Sequence, residues 1–272
     1  MHIAIAETAL PERTHALATR LGLPLTRELD TPPPMELGWW QDPKQPCTPD
    51  GSPDYKLALF PPQSGPVFID FIQGKKNHRR QFGGGKGQPL ARAVIAQQQP
   101  HIIDATAGMG GDGFVFASLG CQVTLIERSP IIAALLADAI ERTQHPDTPD
   151  DIRAIMERIT LIEADAASFL SAPDIQCDVV YCDPMYPEKK KTAAAPKEMQ
   201  ALQQLVGPDQ DSETLLISAL QAAQKRVVVK RPKKAPPLTG PKPNAQISSP
   251  NTRYDLYTTR LSTTPNEHRG HL

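Results

Sequence analysis

Short hydrophobic runs alternate with longer amphipathic stretches between residues 102 and 229. Five runs have the length and composition of buried strands, at residues 102–104, 122–126, 159–162, 179–181 and 227–229. Helical patterns cover residues 112–119, 130–142 and 212–224, and Ser129 followed by Pro130 is a typical N-cap and first helical residue. Strands that alternate with helices form a parallel sheet covered on both faces. We therefore predict a doubly wound, mostly parallel α/β fold, with a late strand at residues 254–257.

The N-terminal part of the chain is less regular. Residues 2–5 have the pattern of a strand, residues 15–21 that of a helix, and residues 67–71 that of another strand. Between them, residues 32–66 are rich in proline, which predicts loops and short edge strands. We divide the chain into a small N-terminal α+β subdomain (1–66), a basic glycine-rich connecting segment (67–100), the main domain (101–262) and a tail (263–272).

A glycine-rich turn follows the first strand of the main domain. Residues 104–113 read Asp-Ala-Thr-Ala-Gly-Met-Gly-Gly-Asp-Gly, and Gly108 to Gly113 match the pattern GxGxxG. Glycines allow a tight turn and a close approach to a ligand, and the N–H groups of the following helix point towards it. Two cofactor classes fit this pattern, a dinucleotide and S-adenosylmethionine (SAM). The third interpretation is a turn that connects the strand to the helix and binds no ligand.

Acidic residues end successive predicted strands. Asp104 precedes the glycines, where a carboxylate suits the cationic amino-acid end of SAM better than a pyrophosphate. Glu127 is placed to accept hydrogen bonds from ribose hydroxyls of either cofactor. Asp165 is placed to accept from an adenine amino group, or else it is a helix N-cap. The series predicts a ligand site at the carboxyl edge of the sheet, with Gly108, Gly110 and the acids as cofactor-binding residues.

The most specific motif follows the fourth strand. Asp183-Pro184-Met185-Tyr186-Pro187 resembles the Asp/Asn-Pro-Pro-aromatic motif of SAM-dependent amine methyltransferases, with Met185 in place of the second proline. The Asp183 carboxylate and the Pro184 carbonyl would accept the hydrogens of a base amine and free its lone pair for attack. Tyr186 offers a face on which a flipped base can stack. The alternative is a plain turn.

Charge is balanced overall but unevenly distributed. The chain has 29 Lys and Arg against 30 Asp and Glu, which excludes a globally basic nucleic-acid-binding protein. Two long segments, 71–103 and 214–254, nevertheless contain basic residues and no acid. Such segments suggest a docked polyanion. The predicted RNA-binding residues are Lys75, Lys76, His78, Arg79, Arg80, Lys86, Lys230 and Arg231.

Several classes of site and location are disfavoured. No apolar run reaches the 18 or so residues that a membrane span needs, so no membrane partner is expected. The four cysteines form no CxxC pair, so we expect no metal and a reducing, cytoplasmic setting. The sequence makes no prediction of the oligomeric state.

Together these motifs resemble one known family, the bacterial 16S ribosomal RNA (guanine-N2) methyltransferases called RsmJ, formerly YhiQ. The resemblance covers nearly all of residues 67–257. The matching segments are residues 68–71, 78–85, 104–108, 127–128, 183–187, 205–209 and 225–232.

The resemblance implies a Rossmann-like class I SAM-dependent methyltransferase fold. It also implies SAM-dependent methylation of the N2 amine of one guanosine near the 3′ end of 16S ribosomal RNA, with that RNA or the small ribosomal subunit as partner. Family contacts to SAM would fall on Gly111, Asp112, Glu127, Arg128, Asp165, Ala166 and Asp183. The family commonly has Arg where Gly111 stands, so any contact there is through the backbone. Tyr186 replaces a frequent Phe and keeps the stacking face.

Two other functions are compatible with parts of the sequence. A nicotinamide-dependent oxidoreductase would use the GxGxxG pattern, but it explains neither the Asp183 motif nor the basic segments. A non-catalytic RNA-binding protein with a methyltransferase-like fold would explain the basic segments, but the intact Asp183-Pro184 turn argues against it.

Overall fold

The computed structural model describes residues 3–6, 10–31, 35–44, 46–62, 64–73, 85–185, 205 and 212–259, without the side chain of Lys86. The N-terminal part forms a four-stranded sheet. Its strands are β1 (Ile3–Ile5), β2 (Met35–Gln41), β3 (Tyr55–Phe60) and β4 (Val67–Phe68), in that order across the sheet. Helix α1 (Pro11–Leu21) lies between β1 and β2 in the chain, and β1 is parallel to β2, whereas β3 is antiparallel to β2 and β4.

The main domain is built on a seven-stranded sheet. Its strands are β5 (His101–Asp104), β6 (Gln122–Glu127), β7 (Ile159–Glu163), β8 (Cys177–Cys182), β9 (Ala223–Pro232), β10 (Ala245–Ser248) and β11 (Thr252–Thr258). The order is β10-β11-β9-β8-β5-β6-β7. Strands β5 to β9 are parallel, and β11 is antiparallel to both of its neighbours. The predicted mostly parallel α/β fold is confirmed.

Six α-helices follow in the described part of the chain. They are α2 (Pro89–Ala93), α3 (Gly111–Ser118), α4 (Pro130–Arg142), α5 (Asp150–Met156), α6 (Ala166–Leu170) and α7 (Ser212–Ala222). Ser129 caps α4 as predicted, because its hydroxyl accepts the N–H of Ile132. None of the helices in these ranges has the length and apolar run needed to cross a membrane.

Hydrophobic side chains cover both faces of the seven-stranded sheet. One cluster includes Phe114 and Phe116 of α3 packed with Tyr181, and a second includes Leu216 and Ala219 of α7. The strand order reverses between β5 and β8, which places the ends of these two strands at the switch point of the sheet. Ligands of open α/β sheets bind at this position, at the carboxyl ends of the strands.

The structure corrects the prediction for residues 32–66. Strands β2 and β3 are seven and six residues long, contain no proline, and lie in the centre of the N-terminal sheet rather than at its edge. The prolines lie between the strands, and pairing of β2 with β3 buries apolar residues such as Leu37 and Leu59. Because β4 pairs with β3, this sheet extends beyond the boundary predicted at residue 66.

Two buried contacts join the N-terminal sheet to α4. The backbone N–H of Leu57 donates to Asp138 Oδ2 at 3.1 Å. Arg142 bonds the same carboxylate oxygen and also donates to the carbonyl of Ile69. These hydrogen bonds therefore attach the N-terminal sheet to α4.

Candidate active site

A cleft opens at the carboxyl edge of the seven-stranded sheet. Its walls include the apolar residues Ile126, Ile132, Met185 and Leu215. The residues predicted to bind a cofactor that also line the cleft are Gly108, Glu127, Arg128, Asp165, Ala166 and Asp183. Apolar walls with a few converging polar groups are typical of a small-molecule site.

Two residues with positive φ shape the glycine-rich turn. The angle is +52° at Gly108 and +71° at Gly110. A Cβ at Gly110 would lie 2.8 Å from Leu136 Cδ2 and 3.2 Å from Phe71 Cζ, so a larger residue does not fit there. Packing therefore explains Gly110, which was predicted to contact a cofactor, whereas Gly108 lines the cleft. Gly111 begins α3.

Glu127 holds this turn from the end of β6. Its Oε2 accepts the N–H of Gly108 at 2.9 Å, and its Oε1 accepts the N–H of Ser129 at 2.8 Å. Each carboxylate oxygen has two lone pairs. Glu127 can therefore order the turn and still accept hydrogen bonds from the hydroxyl groups of a ligand.

Asp165 has the helix N-cap role that was one of its two predicted alternatives, and its contact with an adenine amine stays a prediction. Its Oδ1 accepts the N–H of Ser168 at 2.8 Å and caps α6, and the residue also lines the cleft. Hydrogen bonds from Ser168, with a smaller contribution from the charge of Arg128, lower the pKa of Asp165. The group is therefore a carboxylate at neutral pH.

Asp183 is tied to the glycine-rich turn across the switch point. Its backbone N–H donates to the hydroxyl of Thr106 at 2.6 Å. The side-chain Oδ2 accepts from Lys230 Nζ at 2.7 Å. Asp183 also lines the cleft, so its carboxyl group is fixed at the wall where a ligand would be bound.

A cluster of ionisable side chains lies behind this wall. Lys230 Nζ also donates to Asp112 Oδ2 at 2.9 Å, and the Tyr181 hydroxyl donates to the same oxygen at 2.6 Å. Asp104 is 1% exposed and accepts the N–H of Thr106. Burial, followed by the charge of Asp112, raises the pKa of Asp104 to about 8.

The structure differs from the prediction for one of these acids. Asp104 was predicted to face a cationic ligand group as a carboxylate, but it is buried, and burial raises its pKa to about 8 and favours the neutral form. Asp112 bonds Lys230 and Tyr181, and its contact with the cofactor stays a prediction. Asp104 is therefore shielded from solvent, whereas the Asp112 side chain keeps 11% of its exposure beside Lys230.

The predicted RNA-binding residues fall into two groups. Lys230 lies in the acidic cluster, and Arg231 is 4% exposed, with its Nε and Nη2 bonded to the carbonyl of Pro236. Lys230 Nζ makes two contacts with carboxylate oxygens, and two donors of Arg231 bind one carbonyl, so their role in RNA binding stays a prediction. Outside the described residues lie Lys75, Lys76, His78, Arg79, Arg80 and the stacking residue Tyr186, together with the side chain of Lys86. Pro184 follows Asp183 in the extended chain after β8.

Sequence reasoning missed Thr106 and the acidic partners of Lys230. Thr106 lies inside the glycine-rich motif, so its hydroxyl could have been considered as a partner for the next strand end. No local pattern identifies the partners of Lys230, because Asp112 and Asp183 are 118 and 47 residues away in the chain.

Comparison with known proteins gives consistent matches. A family model of SAM-dependent methyltransferases matches residues 55–259. A ribosomal RNA small subunit methyltransferase J from Hydrogenovibrio crunogenus is 66% identical over 258 residues, covering 94% of each chain. Another from Chromobacterium violaceum is 45% identical, covering 93% of this chain and 94% of the relative. The crystal structure of a SAM-dependent methyltransferase from Neisseria gonorrhoeae, 31% identical, superposes with a TM-score of 0.69 and covers 98% of this chain and 99% of that one.

Proposed function

Because the chain belongs to the ribosomal RNA small subunit methyltransferase J family of SAM-dependent methyltransferases, we propose that it methylates the exocyclic N2 amine of a guanosine in 16S ribosomal RNA. The observation that carries this proposal is the position of Asp183. It stands at the carboxyl end of β8, lines the cleft, and is held by Thr106 and Lys230.

The target amine needs a group such as Asp183. The lone pair of an exocyclic base nitrogen is delocalised into the ring, which makes the nitrogen a poor nucleophile. A carboxylate that accepts an amine hydrogen favours tetrahedral geometry at nitrogen and stabilises the positive charge that develops there. The Pro184 carbonyl can accept the second hydrogen, and the fixed Asp183 backbone supplies the positioning on which such attack depends. No general base is required, because the methylated cation is acidic and loses its proton to solvent.

The donor set of the cleft fits SAM. Bound SAM supplies an electrophilic methyl group on a sulfonium centre. Glu127 is the group for the ribose hydroxyls, and Asp165 is the acceptor for the adenine amine. The apolar side chains of Ile126, Ile132 and Leu215 provide surface for an aromatic ring. We assign Gly108, Arg128, Ala166 and the backbone of Gly111 to the same site.

The acidic cluster favours a cation over a pyrophosphate. With Asp104 protonated, Asp112 and Asp183 carry two negative charges against one positive charge on Lys230. The net charge of −1 attracts a sulfonium and repels the pyrophosphate of a dinucleotide. We therefore retain SAM and discard the nicotinamide alternative, and the fixed Asp183 argues against a non-catalytic RNA-binding protein.

We assign RNA binding to the basic segments around the cleft. The residues that keep their predicted role are Lys75, Lys76, His78, Arg79, Arg80 and Lys86. We no longer assign this role to Lys230 and Arg231, because both side chains bind protein oxygens. Lys233, Lys234 and Lys242 are exposed in the second acid-free segment and replace them as candidates for phosphate contacts. The substrate is naked 16S ribosomal RNA or the small subunit, and the assay below includes both.

Transfer of a labelled methyl group tests the proposal. Purified protein is incubated with labelled SAM and either 16S ribosomal RNA or small subunits from cells that lack the enzyme, and the RNA is digested to nucleosides. We expect label in N2-methylguanosine at one position. Label in another nucleoside, or none in either substrate, would contradict the proposed function. A melting-temperature rise with SAM but not with NAD is the expected binding result.

A further inference from the structure

Lys230 is the cation at the centre of the acidic cluster. It follows Val229, which pairs with Cys182, so it lies beside Asp183 on the neighbouring parallel strand. Its Nζ lies 2.7 Å from Asp183 Oδ2 and 2.9 Å from Asp112 Oδ2, and its side chain is 27% exposed. Sequence reasoning assigned this residue to RNA phosphates. The two ion pairs direct its charge into the site instead.

We propose that Lys230 is a positioning residue for methyl transfer, because its ammonium group fixes one oxygen of Asp183 and balances the charge of the acidic cluster. This inference rests on the proposed function. The carboxylate of an aspartate can rotate about its Cβ–Cγ bond. A strong hydrogen bond to one carboxylate oxygen stops this rotation and so fixes the position of the other oxygen. The shared bond to Asp112 fixes the ammonium in turn, and Tyr181 fixes Asp112.

The surroundings show why a cation is needed there. The ionisable groups that face Lys230 are Asp104, Asp112, Asp183 and Tyr181, and Cys182 lies on the other face of β8. Burial and the neighbouring acids raise the pKa of Asp104 to about 8, and the charge of Lys230 acts against that rise. The charges of Asp183 and Asp112 outweigh the effect of burial and raise the pKa of Lys230, so it stays charged at working pH. By reciprocity, Lys230 favours the ionised form of both acids.

Loss of the charge at position 230 therefore predicts a new pH dependence. In Lys230→Met, Asp183 would take up a proton at a higher pH than in the wild type, and a protonated carboxyl cannot stabilise charge on the attacking nitrogen. We expect turnover at saturating SAM and RNA to fall about 10²-fold at pH 6.5, in the range for loss of one preorganised electrostatic group. It should recover as the pH rises towards 9, whereas the wild-type rate stays flat.

Two further variants separate charge from shape. Lys230→Arg keeps the charge and should restore the flat profile and most of the turnover, whereas Lys230→Gln keeps a donor without charge and should resemble Lys230→Met. Lys233→Met is the matched control, because it removes one exposed positive charge from the turn that directly follows the same strand. It should lower the salt dependence of RNA binding and leave the pH profile flat.

A second measurement does not need methyl transfer. A carbon-13 NMR titration of aspartate side chains, with Asp183→Asn to assign the signal, follows the protonation of Asp183 in wild type and in each folded position-230 variant. We expect the Asp183 signal to titrate at higher pH in Lys230→Met and Lys230→Gln than in the wild type and Lys230→Arg. An unchanged titration of Asp183 in Lys230→Met would overturn the inference. A flat pH profile of turnover in Lys230→Met, together with a weaker salt dependence of RNA binding, would overturn it in favour of a phosphate contact. If wild-type protein transfers no methyl group to RNA, the proposed function fails, while the titration still decides whether Lys230 controls the charge of Asp183.

Discussion

Replacing Asp104 with Asn tests the prediction that this carboxyl group is uncharged in the folded protein. Asp104 is 1% exposed, and its Oδ1 accepts the N–H of Thr106 at 3.2 Å. Burial is the largest cause that raises the pKa of Asp104 to about 8, and the charge of Asp112 is the next. Asn has nearly the same shape and keeps the acceptor oxygen, but it cannot ionise. The variant therefore removes the ionisable group at position 104 and changes little else in the structure.

The direction and size of the effect follow from proton linkage. A carboxyl group with a higher pKa in the folded state than in the unfolded state binds protons more tightly when folded. Its contribution is fully present below about pH 4 and is lost as the pH rises through about 8. Each pKa unit is worth about 1.4 kcal/mol, so the wild type should lose up to about 6 kcal/mol between pH 4 and 8 relative to Asp104→Asn.

Urea unfolding at several pH values between 5 and 8.5 measures this difference. The free energy of unfolding of Asp104→Asn, minus that of the wild type, should increase steadily with pH. Asp165→Asn is the control: hydrogen bonds from Ser168 lower the pKa of Asp165, so its titration lies below this pH range and its difference from the wild type should stay constant across it. Parallel stability curves for wild type and Asp104→Asn from pH 5 to 8 would refute the assignment of a neutral, buried carboxyl group.

The remaining predictions concern SAM and RNA. Replacing Glu127 with Gln should weaken SAM binding about 10- to 100-fold in calorimetry while changing turnover at saturation little. The reason is that the side-chain amide of Gln has one acceptor oxygen and cannot accept both the Gly108 and Ser129 N–H groups as the carboxylate does. A charge-assisted hydrogen bond is worth about 1.5–3 kcal/mol. Unchanged SAM affinity would show that Glu127 is not part of the cofactor site. Another variant replaces four basic residues with Ala: Lys75, Lys76, Arg79 and Arg80. It should flatten the slope of log RNA affinity against log salt concentration by about 0.7–0.9 per lost contact and leave SAM affinity unchanged. An unchanged slope would mean that these side chains are exposed to solvent and do not contact RNA.

The main domain was predictable because its signals are local. The apolar runs of β5, β6 and β8 are short and bounded by polar residues, and Ser129-Pro130 marks the start of α4. The strand-end position of Glu127 and Asp183 follows from the same runs. Once the strands are parallel, these residues must meet at one edge of the sheet.

The N-terminal sheet was less predictable because its strands depend on distant partners. Strand β2 pairs with β3 across a long proline-containing connection, and the prolines of that connection dominate the local pattern. The buried bond from Leu57 to Asp138 spans 81 residues. No short window of sequence contains such a contact.

Charge states were the least predictable part of the site. Asp104 and Asp112 look alike in the sequence, but burial raises the pKa of Asp104 to about 8, whereas Asp112 is paired with Lys230. The difference depends on depth below the surface and on the side chain that β9 brings in. Both are properties of the folded sheet, so the sequence can place these acids near one edge of the sheet but cannot give the charge of each.

Turnover of Asp183→Asn at saturating SAM and RNA tests the central claim most directly. Asn keeps the shape and one acceptor oxygen, but it loses the negative charge that stabilises the developing cation on the target nitrogen. We predict that turnover falls about 10²- to 10³-fold in this variant, while its affinities for SAM and RNA fall far less. The wild-type rate should be nearly independent of pH between about 6.5 and 9, which lies above the ordinary carboxyl pKa. Near-wild-type turnover in Asp183→Asn would contradict both the role of Asp183 and the amine-methylation mechanism.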